Sequence, residues 1–418
     1  MSIKKGNQQM NVFTRSNLAM LVLAATATMA VAQEQQPGLY RTASGVDLLP
    51  GLLTTVFHDD NITRAANQQD IVSSWVLSVA PSLKASIIDG ANVYSMTGAV
   101  KAANYFDSSD DNYLDGYVEA EARLSPSSAH NFKLNANSSW LHEDRGTGVS
   151  EGRGTVQGDV TKFNTDSLKA EYEYGRPGST GKLRANARYF DRKYENFRDF
   201  TQYRDYKLAE VGAGFVYQTA GAFRLVAETT TADIQYKVVD LSGSRDNQDT
   251  YFKLGTEWEL TAATTGILKA GYQNKDFDIG LRDDFDGVSW EAIMQWQPLS
   301  YSGFDFATGR RAKDVEALNS SADFIKESTV SVGWNHQWSS FIDTKLSYQY
   351  QTDDYHRRVG STAVAREDKI RMLIAEVNYK PLRWLTLTGY ANVEDRTSSA
   401  GVIEYDRNVF GLTFKMTL

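Results

Sequence analysis

Cysteine is absent from the chain, which excludes a disulfide scaffold, an iron–sulfur protein and a thiolate-bound zinc site. Histidine is scarce, at five residues in 418, so imidazole-based metal chemistry has little to draw on. Past residue 32 no apolar run approaches the ~20 residues that a spanning helix needs, which excludes a polytopic helical membrane protein. Proline is also rare, at seven residues. What is abundant is aromatic: 12% of the chain, with 22 tyrosines. Rich in tyrosine and poor in proline is a β composition.

The first 32 residues read as an address. Lys4, Lys5 and Arg15 precede an apolar stretch from Leu18 to Met29, then Ala30-Val31-Ala32 and polar Gln33. A basic start, a short apolar centre and an A-x-A site describe a cleaved secretory signal peptide. The leader holds three bases and no acid, so the rest of the chain carries 41 bases against 52 acids. That balance does not suit nucleic-acid binding, and none is expected.

A period of about 40 residues runs through the remainder, as repeat architectures show. Pro81, Pro126, Pro177, Pro298 and Pro381 are read as strand ends beside short turns, where a missing backbone donor is tolerated. Longer polar stretches fall between them, among them 107–112, 142–166, 240–248 and 353–367. Short turn, strand, long loop, strand is the layout of an outer-membrane barrel.

The strands alternate as a barrel wall must. Val330, Val332, Trp334 and Trp338 oppose Ser331, Gly333, Asn335 and Gln337. Leu183, Ala185, Ala187 and Tyr189 oppose Lys182, Arg184, Asn186, Arg188 and Arg192. Segments of 11–15 residues exceed the ~5–6 typical of soluble strands. The expected fold is all-β: a transmembrane antiparallel up-and-down barrel of about 18 strands, with 16 as the alternative count. The expected division is a signal peptide over 1–32, a short periplasmic segment over 33–44 and the barrel over 45–418, multi-pass in the outer membrane after Sec-type export. Strands are expected near 45–58, 71–84, 91–104, 112–124, 131–142, 166–175, 180–194, 203–218, 222–237, 249–261, 265–279, 286–298, 301–313, 323–339, 341–352, 367–380, 382–396 and 403–418.

Eighteen strands leave room for an aqueous lumen. Its expected lining includes Lys133, Glu171, Glu173, Lys182, Arg184, Arg188, Arg192, Glu210, Glu257, Glu259, Lys269, Glu291 and Lys345, with Trp384 and Tyr390 as aromatic faces beside hydroxyls and amides. Two readings of these charges stand side by side: cross-strand ion pairs that brace the wall, or opposed ladders that select charged solutes. No catalytic group, cofactor or metal is expected. His58, His130, His142, His336 and His356 lie on separated segments, and no Ser sits beside them on a glycine elbow. The acidic run Asp107–Asp111 reads as a solvated loop ahead of a calcium site, and the glycine-rich stretch 145–154 as a flexible external loop. The longest loop, roughly 143–165, is the best candidate for a constriction.

Several short motifs, in order, add a resemblance: His58-Asp59-Asp60-Asn61-Ile62-Thr63-Arg64, Asn104-Tyr105-Phe106-Asp107, His142-Glu143-Asp144-Arg145-Gly146-Thr147-Gly148, Thr265-Gly266-Ile267-Leu268-Lys269-Ala270-Gly271-Tyr272 and Trp296-Gln297-Pro298-Leu299-Ser300-Tyr301-Ser302. Together they resemble the β-barrel porins encoded in exopolysaccharide and capsule clusters of Gram-negative bacteria. The resemblance implies a channel through which polysaccharide crosses the outer membrane, in contact with lipid and with a periplasmic polysaccharide-export protein. Composition alone leaves open a solute-uptake porin for small anions or oligosaccharides, and a non-conducting surface barrel for adhesion or matrix anchoring.

Overall fold

Alternating apolar and polar residues give each strand one face for lipid and one for water, and a closed sheet then leaves no edge unpaired in the bilayer. The computed structural model of the chain describes residues 38–417, apart from 241, 262, 318–320, 359 and 363. The signal peptide over 1–32 lies outside the described residues.

A short strand β1 (Tyr40–Arg41) precedes the barrel strands β2 (Asp47–Asp59), β3 (Ser74–Asp89), β4 (Asn92–Tyr105), β5 (Tyr113–Ser127), β6 (His130–Glu143), β7 (Thr161–Tyr174), β8 (Gly181–Tyr194), β9 (Tyr206–Gln218) and β10 (Phe223–Tyr236). Then follow β11 (Asn247–Thr261), β12 (Thr264–Phe277), β13 (Phe285–Leu299), β14 (Ser302–Asp314), β15 (Ala322–Gln337), β16 (Ile342–Arg357), β17 (Arg366–Leu382), β18 (Leu385–Ser398) and β19 (Tyr405–Thr417). Each barrel strand pairs antiparallel with its sequence neighbours. The ring closes where β19 pairs with β2, from Val409 opposite Asp59 to Thr417 opposite Gly51. The result is a closed antiparallel barrel of the 18 strands β2–β19.

Tight connections such as 90–91, 128–129, 300–301 and 383–384 alternate with long ones such as 60–73, 144–160 and 195–205. In barrels of this kind the tight turns face the periplasm and the long loops face outside. The two faces of the wall differ as the alternation requires. On β8, Leu183 is 53% exposed to the surroundings, whereas the Arg184 side chain is 17% exposed. Aromatic residues group on the lipid face near the strand ends: Trp334 and Trp338 meet edge to face at the end of β15 with the His336 ring tilted between them, and His58 lies against Trp75 and Phe410.

One expectation fails. Pro81 does not end a strand; it lies inside β3, and the turn comes nine residues later at Gly90, whose φ of +59° suits glycine. The ladder to β4 lapses between Val79–Ala102 and Ser82–Ala99 but resumes in the same register. Pro81 still pairs with Leu52 of β2, so one lost donor is absorbed without breaking the strand.

Candidate functional site: the lumen and its outer mouth

Side chains on strands several places apart can meet only on the concave face, because neighbouring strands are ~4.8 Å apart along the wall. This identifies the lumen. Arg184 on β8 donates to Glu257 on β11 at 2.6 Å and to Glu173 on β7 at 3.1 Å. Lys182 adds a bond to Glu173 at 2.6 Å. Further round, Lys269 lies 2.9 Å from Glu228 and 3.4 Å from Glu291, and Lys253 lies 3.2 Å from the same Glu291. Lys133 reaches Glu121 at 3.5 Å, and Asn186 donates to Glu210 at 3.1 Å. Lys169 pairs with Glu171. A series of charge-pair clusters therefore lines the arc from β5 to β13.

The sequence-expected lining residues separate into groups. Lys133, Glu171, Glu173, Lys182, Arg184, Glu210, Glu257, Lys269 and Glu291 belong to these clusters or border them. Arg188 lies on the same face, its guanidinium 5.2 Å from the Phe190 ring, and makes no ion pair among the described residues. Lys345 stands opposite Glu376, and Glu376 opposite Tyr390. Glu259 is exposed at the periplasmic rim. Trp384 corrects the expectation: it lies in the 383–384 turn, 43% exposed, outside the wall it was read to line. Aromatic-rich turn sequence and strand sequence look alike at that position. Arg192 also differs in setting. It is buried at the outer end of β8, where it donates to the Tyr194 hydroxyl at 2.5 Å and reaches Glu316 at 3.4 Å.

Arg192 belongs to a layer that covers the outer mouth. The loop 144–160 does not hang outward; it folds across the barrel. Glu151 accepts from Arg366 on β17 at 2.5 Å and from Arg396 on β18 at 2.8 Å. Both arginines also bind Asp368, which is fully buried. Nearer its origin the loop is fixed by Arg145, which takes Asp111 at Nε (2.8 Å) and the Gln157 carbonyl (3.0 Å). Asp111 is thus a buried counter-ion, and the acidic run 107–111 is not merely solvated. Val149 packs with Phe163 and Tyr194. Gly146 has φ +82°, and a Cβ there would lie 2.3 Å from the Thr63 carbonyl oxygen, so only glycine lets loops 60–73 and 144–160 meet.

His142 joins these loops to the wall. Its Nδ1 lies 2.9 Å from Asp115, its Nε2 3.1 Å from Asp144, and its ring stacks on Tyr113 at 3.6 Å. Arg64 donates to Asp144 at 3.1 Å. Burial pushes the Asp144 carboxyl up, but the bond with His142 and the charge of Arg64 outweigh it and hold the group well below the usual carboxylate range.

A second inward fold rises from the β14–β15 hairpin. Gln273 of β12 grips the Ala312 backbone through both its donor and its acceptor, at 2.9 and 2.7 Å. Beyond it, Arg245 binds the Val315 carbonyl at 3.0 Å and Arg204 the carbonyls of Glu316 and Ala317 at 3.0 and 3.2 Å. Asp240 sits between Arg204 and Arg245. Burial raises its carboxyl, yet hydrogen bonds from Ser242 and the two guanidinium groups leave it below its ordinary range. The lumen is therefore asymmetric. Its outer end is filled by buried loop contacts, while wall residues nearer the periplasm, such as Lys182 and Glu173, keep about a quarter of their side-chain surface open.

Residues 48–418 match the sequence profile of the family described as Putative beta-barrel porin 2. The chain belongs to that family. No match is found among curated proteins. Among solved structures it is similar to a BenF-like porin from Pseudomonas fluorescens Pf-5, at 13% identity and a TM-score of 0.50, over 90% of this chain and 99% of the other. It is similar also to the FrpB iron transporter from Neisseria meningitidis, at 11% identity and a TM-score of 0.50, over 87% of this chain and 66% of the other. OpdO from Pseudomonas aeruginosa aligns at 13% identity and a TM-score of 0.47, over 89% and 97%. At these identities the likeness is one of fold. The chain is an outer-membrane β-barrel of the porin kind.

Proposed function

We propose that this barrel is the outer-membrane channel for an exported polysaccharide, entered from the periplasm and held shut at its outer mouth until polymer arrives. The observation that carries the reading is the asymmetry of the lumen. A channel that captures solutes from outside needs its receptive groups at the outer end, and here that end is filled by tied loops. The hydrated, hydrogen-bonding end faces the compartment from which a nascent polymer comes. No energy source is needed in this chain: transport is passive, and a periplasmic export protein would deliver the polymer. Loop 144–160 is the gate, and the tie of Glu151 to Arg366 and Arg396 is its latch. The ordered motifs that resemble porins of polysaccharide clusters point the same way.

A second reading, an uptake porin for small anions or oligosaccharides, is favoured by the inward course of loop 144–160, which narrows a lumen as a constriction does. One experiment separates the two. Polymer in the medium is measured in a deletion strain, complemented with wild type and with a chain shortened in 144–160. Export predicts that secreted polymer falls in the deletion and returns with wild type. Normal secretion together with lost permeability to small solutes overturns export in favour of uptake.

A further inference from the structure

The lumen wall is divided by charge. The arc from β5 to β13 carries the Lys/Arg–Glu clusters described above. The arc that runs from β15 through β19 and across the seam to β4 carries almost no charge at mid-height. Its inward positions there include the hydroxyls and amides of Ser331, Gln349, Asn392, Thr413 and Thr55, with Thr388 nearer the periplasm, and on β17 the apolar Met372 and Ile374, which lie between Gln349 and Asn392. Their facing is fixed by register: Ser331 lies opposite Gln349, Thr388 opposite Thr413, and Thr413 opposite Thr55. The charges that flank it are Lys345 and Glu376 on the periplasmic side, with Glu376 opposite Tyr390 and so beside the track, and Asp353 and Asp368 under the outer loops.

We infer that the uncharged arc is the track on which the transported chain slides, and that the substrate is an uncharged, hydroxyl-rich polysaccharide. The inference rests on the export reading and names its substrate class. The charged arc is largely satisfied: Arg184, Lys253 and Lys269 already face carboxylates within 2.6 to 3.4 Å, and Arg188 is the exception, so it offers a passing polyanion little free positive charge beyond that one group. The uncharged arc is lightly engaged. Ser331 and Gln349 make no side-chain hydrogen bond among the described residues. Thr55 and Thr413 share one bond at 3.0 Å across the seam, and Thr388 donates to Asn378 at 2.6 Å. The Asn392 side-chain oxygen is buried with no partner. Tyr390 lies between Thr388 and Asn392 on the same face, with a ring suited to the apolar face of a sugar. Neutral hydrogen bonds are individually weak and exchange with water, so a polymer can move along them one contact at a time. Bonds to charged groups are about twice as strong and would hold it in place.

The test is binding of neutral dextran oligomers and of polygalacturonate oligomers of equal length to the full chain in nanodiscs. Wild type should bind dextran oligomers more tightly than polygalacturonate. The triple variant Ser331→Ala, Gln349→Leu, Thr388→Val should lose dextran affinity about tenfold or more, since three hydrogen-bonding groups are removed together. The pair Lys253→Met, Glu291→Gln should leave dextran affinity unchanged. Preference for polygalacturonate, or equal dextran binding by the triple variant with its barrel intact by heat-modifiable gel mobility, overturns the inference. A deletion strain that secretes normally, beside intact dextran binding on this arc, would retire the export reading and leave the track standing.

Discussion

Glu151 and Arg396 share a 2.8 Å hydrogen bond although 245 residues separate them in sequence. Between them lies most of the ring: the loop that leaves β6 reaches the outer ends of β17 and β18. Because Asp368 also binds Arg396, the tie is a small network, and removing one member leaves buried cations without full compensation.

Glu151→Gln should open the outer mouth. Half-removing a buried charged tie costs about 3–5 kcal/mol where no other partner remains, and Asp368 keeps part of that. An increase in ionic conductance of reconstituted protein is expected, together with sensitivity of cells to large hydrophilic antibiotics. Conductance equal to wild type would show that the loop stays in place without its latch.

Arg184 and Arg188 lie two residues apart on one face but differ in pairing, and their substitutions should differ in kind. Arg184→Ala leaves Glu257, whose side chain is 5% exposed, with Arg224 at 3.4 Å as its remaining ion-pair partner, so the barrel should unfold at lower temperature on unboiled gels. Arg188→Glu reverses a charge with no ion-pair partner among the described residues. It should shift ion selectivity toward cations with little change in unfolding.

The two faces of β11 should respond oppositely. Leu254, 54% exposed on the lipid face, becomes a charge in the bilayer in Leu254→Arg, at a cost of about 2–4 kcal/mol near mid-membrane. Lys253→Gln, one residue away and facing the lumen, should cost less. Urea titration of refolded protein in lipid vesicles measures both; equal costs would mean the assigned faces are wrong.

Acid should loosen the mouth only at low pH. Asp144 and Asp240, both in loops, have carboxyl groups held below their ordinary range. A depressed carboxyl contributes stability that is fully present above its unfolded value, about 3.9, and is lost as pH falls through the folded value. Asp144 therefore leaves protease resistance of loop 144–160, and Asp240 that of the segment 315–317 held by Arg204 and Arg245, flat from pH 8 to pH 5, with cleavage rising below about pH 4. A change centred between pH 5 and 8 would place control elsewhere.

The strands were legible because a two-residue period is a local property, and residues such as Leu183 and Arg184 declare their faces side by side. Strand ends were less so. Pro81 reads as a terminus because proline lacks a donor, but a single missing bond in a long ladder is tolerated. Of the mouth, the length of loop 143–165 marked it as a constriction, but the ties that hold it were not legible. Nothing near Glu151 points to Arg366 or Arg396, and a glycine-rich stretch looks the same whether it waves in water or is glycine-rich because Gly146 must touch the Thr63 backbone. The Arg184–Glu173 pair could be anticipated from adjacent strands; Arg184–Glu257, three strands away, needed the curvature of the wall.

The seam between β19 and β2 sets the order in which the molecule can be made. Asp59 and Arg407, joined there by hydrogen bonds of 2.5 to 3.0 Å, lie 348 residues apart. The first barrel strand therefore waits through the synthesis of all the others with one edge bare, and no intermediate short of the full ring can rest in lipid with its backbone satisfied. Biogenesis is all or nothing: a chain stopped before β19 leaves two open edges facing each other, and such a product is a target for periplasmic proteases rather than a smaller pore.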